Sequence, residues 1–442
     1  MDSVHRGSCV SGPKNKHEEY AVMSIEEARQ TAERGSRLRR NLLVIRLMAF
    51  FQVFLVIVPV AVPLFSDRGL SLAEILQLQA LFGITVVLME IPSGYIADVL
   101  GRRIALVLGG VFVGVGHSLL LIGYDFFTLA IFEIALGVGL SLISGADVAV
   151  LYDTQVELGD DAEARQKGLG SLFLLRSVSE ATAGLAASVV LLFATLNALV
   201  TVQVVVGWLP LLFALLIVEP PVERMRAGAH LDNLTEVLRK LLRSEPVLRL
   251  TFLTMGIWSL TTYYAVWLLQ QSWLDAEVEL SAFGLLWALF SVAAGVAGWQ
   301  AANLERHLGA AWLLTLVALL PVLGYLGLAL APAGWALVIG LVFFIARGAG
   351  FVLLQEAFNR RLEGRYRATA NSLVSFLFRG ALVLTVPVVG ALLELWTLRE
   401  VFALLALASL AVFVVLVLPL IAAVRCLPRA VPRPSVEGVG TG

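Results

Sequence analysis

Charge is scarce in this chain: Asp, Glu, Lys and Arg make up only 15% of its 442 residues, against about 25% in an ordinary soluble domain. Cysteine is scarcer still. Cys9 and Cys426 lie in opposite polar tails, so neither a disulfide framework nor a Cys/His zinc cluster is expected. Basic excess is missing too. The formal net charge is −1, which excludes a broad electropositive face for nucleic acid. The sequence contains no Gly-x-x-x-x-Gly-Lys-Ser/Thr phosphate loop, no His-Glu-x-x-His helix and no Gly-x-Ser-x-Gly turn. ATP-driven work and hydrolytic chemistry therefore lack their usual residues. The expectation is a protein that is not an enzyme and holds no metal or cofactor.

What the sequence has is apolar length. Hydrophobic residues make up 59%. A membrane-spanning helix needs about 20 of them, so a dozen spans would use nearly all. Apolar blocks separated by short polar loops predict spans near 42–65, 72–95, 104–123, 126–151, 168–193, 196–218, 249–270, 281–302, 310–330, 334–357, 369–394 and 398–423. Prolines at 59, 63, 210, 321 and 387 fall inside them, which spanning helices tolerate when neighbours satisfy the freed backbone. The predicted class is an all-α membrane protein of twelve transmembrane helices in two pseudo-symmetric six-helix bundles. Its units are an N-terminal tail (1–41), a first bundle (42–218), a linker (219–248), a second bundle (249–423) and a C-terminal tail (424–442).

The first forty residues lack the apolar stretch of a secretory signal. Met23 opens a segment that could form a short charged helix. With an even number of spans, both tails share one side. Arg68 and Arg399 are the only basic residues in the loops of the opposite side, and Arg46, Arg176, Arg347 and Arg379 fall within spans. All other Lys and Arg lie in the tails, the linker and the loops on the tails' side, which predicts cytoplasmic termini. Within the linker, Asn233 to Arg243 has helical periodicity, with Leu234, Val237, Leu238 and Leu241 along one face. That face is expected on the membrane surface or the helix ends, and a solvated linker helix is the plainer alternative.

The halves repeat weakly. Gly137 and Gly139 in span 4 align with Gly348 and Gly350 in span 10, and Arg176 in span 5 aligns with Arg379 in span 11. Such repeats are typical of secondary transporters, whose sites lie between the halves near the bilayer midplane.

Between spans 2 and 3 the chain reads Gly94-Tyr-Ile-Ala-Asp98-Val-Leu-Gly101-Arg102-Arg103. Gly94 permits close helix approach and Gly101 a tight turn, while Asp98 can accept from a helix N-terminus. This loop resembles the signature Gly-x-x-x-Asp-x-x-Gly-Arg-Arg of the major facilitator superfamily, and with twelve spans divided six and six the resemblance covers nearly the whole chain after residue 40. It implies a gate: Asp98 against the start of helix 11 near Thr369 to Asn371, and Arg102 or Arg103 against an acid at the end of span 4, Asp153. The plainer alternative is that the arginines anchor the loop to anionic headgroups. The chain also departs from the drug/proton antiporters of that superfamily. Val99 follows the signature Asp where an Arg is common, Glu133 stands where span 4 often has Arg, and span 5 lacks their Gly-Pro motif. It is more similar to a bacterial branch described only as transporters.

Ionisable residues within the spans need partners, water or a function, because each costs about 3 kcal/mol on insertion scales. Arg176 and Glu180 are four apart, on one helix face, and by depth Asp147 meets them. An Asp147–Arg176–Glu180 cluster is expected, either as a structural staple or with Glu180 or Asp147 as proton carrier. Glu133 faces the cavity or Arg379. Arg347 and Arg379 either receive an anionic substrate group or pair with Glu356 or Glu133. Tyr263 and Tyr264 are candidates for substrate stacking, with core packing as the alternative, and a lone His117 suits packing. The resemblance implies a monomeric transporter of a bacterial inner membrane, moving a small organic molecule by alternating access and coupled to protons. Export is favoured. Import or uniport, and a transporter-like sensor or scaffold, are the alternatives.

Overall fold

The computed structural model describes residues 34–220, 237–239, 241–243, 245–362 and 367–425. The tails, including both cysteines, and most of the linker lie outside them. No strand occurs among the described residues. Eleven helices among them are long and apolar enough to cross a membrane, and the first crossing expected from the sequence is broken. It runs as a helix over 34–52, loses helical order at 53–57, and resumes through Val58–Val60 and Ala61–Asp67. The break follows from two prolines. Pro59 and Pro63 supply no N–H, and the ring of Pro59 would collide with the carbonyl of Leu55 in a continuous helix. Large apolar side chains such as Leu330 and Leu384 (both 76% exposed) remain uncovered along the outside of the bundle, as lipid contact requires.

Helix starts are set by local chemistry. Ser71 and Glu74 form a capping box at span 2, Leu72–Tyr95: Glu74 N–H donates to Ser71 Oγ at 3.2 Å, and Ser71 N–H to Glu74 Oε2 at 2.8 Å. Thr397 and Glu400 repeat the device at span 12, Leu398–Val412. Asp125 caps the start of span 4 and Asp161 that of span 5, Ala162–Phe193. Such caps close orphan N–H groups at the first turn. Span 4 is two helices rather than one. Phe126–Ile143 ends at Ser144, Gly145 takes φ +88°, and Ala146–Glu157 continues. A Cβ at Gly145 would meet no other atom, so glycine is needed there for its backbone conformation alone.

The packing distinguishes the two ends of the bundle. At the basic end, which carries residues 34, 219 and 425, each half has its own apolar core. One joins Ile45, Leu106, Val150 and Ala214, and the other joins Phe252, Leu353, Phe358 and Leu420. Val237 and Leu241 of the linker are buried in the second core, while Leu238 is 37% exposed. The linker face thus docks on the helix ends of the second half. At the opposite, short-loop end a single core runs through both halves, from Val60 and Leu76 to Trp273 and Val386. There span 5 and span 8, Leu280–Leu308, touch at Gly184 and Gly284, and Gly390 of span 11 lies against Ala73 of span 2. The halves are joined at the short-loop end and separate at the basic end.

Candidate functional site

Between the halves lies a cavity of about 360 Å³, within the usual range for small-molecule sites of about 300–1,000 Å³. The broken stretch of span 1 contributes Val53, Leu55 and Ile57 to its wall, and Phe65, Phe82, Phe132, Tyr263, Trp267 and Trp287 make its aromatic part. Its ionisable members are Glu133, His117, Glu180 and Arg347. A second hollow of about 400 Å³ shares Tyr263 and Arg347 with the first and continues past Ser375 to Gln355 and Asn371. These last two belong to the basic ends of spans 10 and 11, so the hollow leads from the midplane toward the basic end.

Glu133 is 4% exposed. Gln79 Nε2 of span 2 donates to its Oε1 at 2.8 Å, and among the described residues no cation pairs with it. Both residues stand two turns in from the caps that start their helices, Asp125 and Ser71, which brings them to one depth. The expected partner Arg379 is elsewhere: its guanidinium lies 5.9 Å from the ring of Phe82, and its Nε has no hydrogen-bond acceptor. His117 contacts Val113 O through Nδ1 at 2.9 Å and packs its ring on Phe132, while its Nε2 has no partner. It both packs and lines the cavity.

Asp147 and Arg176 do meet, Arg176 Nη2 to Asp147 Oδ2. Asp147 opens the lower helix of span 4 just after the Gly145 break, and its other oxygen accepts Val148 N–H at 2.7 Å. Glu180 is not part of this pair. It lies one turn nearer the midplane, exposed on the cavity wall, and among the described residues it makes no ion pair. The expected three-member cluster is therefore a pair plus a free carboxylate, because the Asp147 carboxylate already meets the guanidinium.

In the signature loop, span 2 ends in a π turn, Ile96–Leu100, that carries Asp98 beside Arg102. Gly101 follows with φ +114°. Arg102 pairs with Asp153 and also donates from Nη1 to Ala149 O at 3.2 Å. Arg103 instead reaches Leu215 O at 3.0 Å. A residue outside the sequence expectation completes the loop. Glu219 Oε1 accepts the backbone N–H of Arg102 at 2.7 Å, placing a carboxylate on the N-terminus of span 3. Gly94 has open space around it.

In the second half, Tyr264 hydrogen-bonds Thr385 Oγ1 at 2.7 Å and is buried. Tyr263 packs edge-on against Tyr264 and Phe378 and lines both hollows. Arg347 is exposed and lines both as well. Glu356 is not its partner, and no ion pair to Arg347 exists among the described residues. Gln355 donates to Asn371 Oδ1 at 2.7 Å. Among the described residues no group of three His, Cys, Asp or Glu is placed to hold a metal ion. Gln79 and Glu219 are not legible as site residues: a lone polar residue in an apolar run carries no pattern, and Glu219 opens the linker, far in the chain from the loop it caps.

The family model described as Major Facilitator Superfamily matches residues 42–366. No curated protein matches the sequence. Among solved structures, a nucleoside transporter, NupG, superposes with a TM-score of 0.70 at 12% identity, covering 86% of this chain and 98% of that one. A POT family transporter in complex with 5-aminolevulinic acid gives 0.66 at 14% identity, covering 86% and 96%. A bacterial homologue of the human lysosomal transporter Spinster, inward-facing and unoccupied, gives 0.66 at 16%, covering 88% and 97%. At such identities the likeness is one of fold.

Proposed function

The chain belongs to the Major Facilitator Superfamily and is a multi-pass membrane transporter, and we propose that it exports a small, partly apolar organic molecule in exchange for protons. The concentration of Lys and Arg at the basic end orients that end to the cytoplasm of a bacterial inner membrane, with both termini inside. A cavity closed at the short-loop end and leading to the basic end is then loaded from the cytoplasm. One chain encloses the whole cavity, in keeping with a working monomer.

The observation that carries proton coupling is Glu133. It is a buried carboxyl on the cavity wall held by one neutral amide, Gln79, at 2.8 Å. A fixed charge at that depth is costly without a counter-ion, so a group that takes and releases a proton as the cavity fills and empties fits the position. Asp147 has Arg176 for a permanent partner and suits a structural staple.

The test is a library of small organic compounds added to proteoliposomes while internal pH is followed. A compound that moves protons with wild type, and fails with Glu133→Gln while still binding, supports the reading. Equal proton movement by both proteins removes Glu133 from the coupling. Uptake toward the basic end driven by an imposed proton gradient would make the protein an importer instead.

A further inference from the structure

We propose that the transported molecule is a zwitterion, its ammonium group received by Glu180 and its carboxylate by Arg347, with an apolar body between them against Tyr263 and Trp267. The proposal rests on the reading of the central cavity as the transport site and specifies what that site recognises.

Glu180 lies near the middle of span 5, Ala162–Phe193, and Arg347 near the middle of span 10, Ala336–Asn359. One belongs to each half. Both line the same cavity, both are exposed there, and among the described residues neither makes an ion pair. Of the other ionisable groups nearby, Asp147 meets Arg176, Glu133 accepts from Gln79, His117 is buried against Val113 O, and Arg379 lies over Phe82 within electrostatic reach of Glu90. The exposed charges on the cavity wall are thus one negative, Glu180, and one positive, Arg347, from opposite halves.

In the open cavity both are hydrated. When the halves close around a ligand that water is lost, and each charge then needs a partner, because a desolvated unpaired ion is strongly disfavoured. A ligand with only an amine leaves Arg347 unpaired, and one with only an acid leaves Glu180 unpaired. A zwitterion satisfies both, and the guanidinium can take its carboxylate through two parallel N–H donors. Charge matching thus decides which ligand lets the halves close. Tyr263 and Trp267 line the same cavity and supply an aromatic wall that takes an apolar side group and attracts an ammonium.

Three probes with one body separate the charges: L-phenylalanine, 2-phenylethylamine and 3-phenylpropanoate, titrated calorimetrically against the purified full chain. L-phenylalanine is expected to bind at least about tenfold tighter than either single-charge analogue, a clear difference on the affinity scale. Glu180→Gln should abolish its advantage over 3-phenylpropanoate and leave that acid's own affinity unchanged. Arg347→Gln should abolish its advantage over 2-phenylethylamine, and Arg347→Lys should retain part of it. Both positions are exposed to the cavity, and an unchanged melting temperature of the ligand-free variants checks that folding is intact. An analogue binding as well as the amino acid, equal weakening of all three probes by either variant, or no binding of any probe at millimolar concentration overturns the proposal. Proton movement lost in Glu133→Gln for a compound that is not a zwitterion would leave transport standing and remove only this substrate class.

Discussion

Gln270 Oε1 of span 7 accepts the backbone N–H of Val62 at 3.0 Å, across the boundary between the two halves. The same side chain donates from Nε2 to Val58 O at 3.1 Å. In an unbroken helix Val62 N–H would donate to Val58 O, so where span 1 is broken beside Pro59 and Pro63 a fully buried amide from the second half stands in for that bond. Gln270 therefore holds the two halves together at the short-loop end and repairs the broken helix at once.

Gln270→Leu keeps the volume and removes both hydrogen bonds, leaving the Val62 N–H buried without a partner, while Val58 O keeps the N–H of Ala61. The expected cost is about 1–3 kcal/mol, for one unsatisfied buried donor, and it falls only on the state closed at the short-loop end. The variant should populate the opposite state more. Double electron–electron resonance between labels at the short-loop ends of spans 1 and 7 should report a longer distance, and an unchanged distribution would rule out this role.

Asp147 and Arg176 provide a second prediction. Asp147→Asn leaves the guanidinium of Arg176 beside a neutral group. Removing one partner of a buried pair costs about 3–5 kcal/mol, and the 26% exposure of the Arg176 side chain lowers that to about 1–3 kcal/mol. The melting temperature should fall in Asp147→Asn and recover in the double variant Asp147→Asn/Arg176→Met. Failure of the double variant to recover would mean that Arg176 has a duty beyond the pair.

How far these contacts could be read from the sequence depends on where their partners come from. The starts at Ser71 and Thr397 are legible because each cap and its Glu lie three residues apart in one strand of text. Arg102 with Asp153 is legible through the signature loop, whose spacing carries both the turn and the charge. Asp147 with Arg176 follows from counting depth on adjacent helices. Gln270, Gln79 and Glu219 are not legible, since each acts on a group far off in the chain that only packing brings near. The break at Ser144 and Gly145 is hidden for another reason. Glycine inside an apolar run reads as close helix packing, and only the backbone angle distinguishes it from a hinge. Helical spacing places Glu180 on the face of Arg176, but spacing gives the face of a residue and not which neighbour occupies its partner first.

Glu219 supports a third prediction. Its carboxylate caps span 3 and touches the position where a Gly101 side chain would be, 2.8 Å from an added Cβ. Glu219→Ala should cost about 0.5–2 kcal/mol, as for loss of an N-cap, and loosen the loop that presents Arg102 to Asp153. Gly101→Ala should cost more, since it adds a backbone strained at φ +114° to the same collision. Thermal unfolding in detergent orders the two, and equal melting temperatures for Glu219→Ala and wild type would show the cap to be idle.

Gly284 and Gly348 separate a gate contact from a scaffold contact. An added Cβ at Gly284 would stand 2.2 Å from Gly184 O, across the two halves, whereas one at Gly348 would stand 2.0 Å from Ala294 O within the second half. Overpacking of either costs about 1–3 kcal/mol. Gly284→Ala places that cost only on the state in which spans 5 and 8 touch, so it shifts the population toward opening at the short-loop end. Gly348→Ala places it on both states alike and lowers stability without a shift. With Cys9 and Cys426 replaced and Leu136→Cys introduced on the cavity wall, a membrane-impermeant maleimide applied from the short-loop side should label Gly284→Ala several-fold faster than wild type. Gly348→Ala should melt earlier and label at the wild-type rate. Equal labelling of all three would mean that the short-loop end is held elsewhere, by Gln270 or by the contact of Gly390 with Ala73.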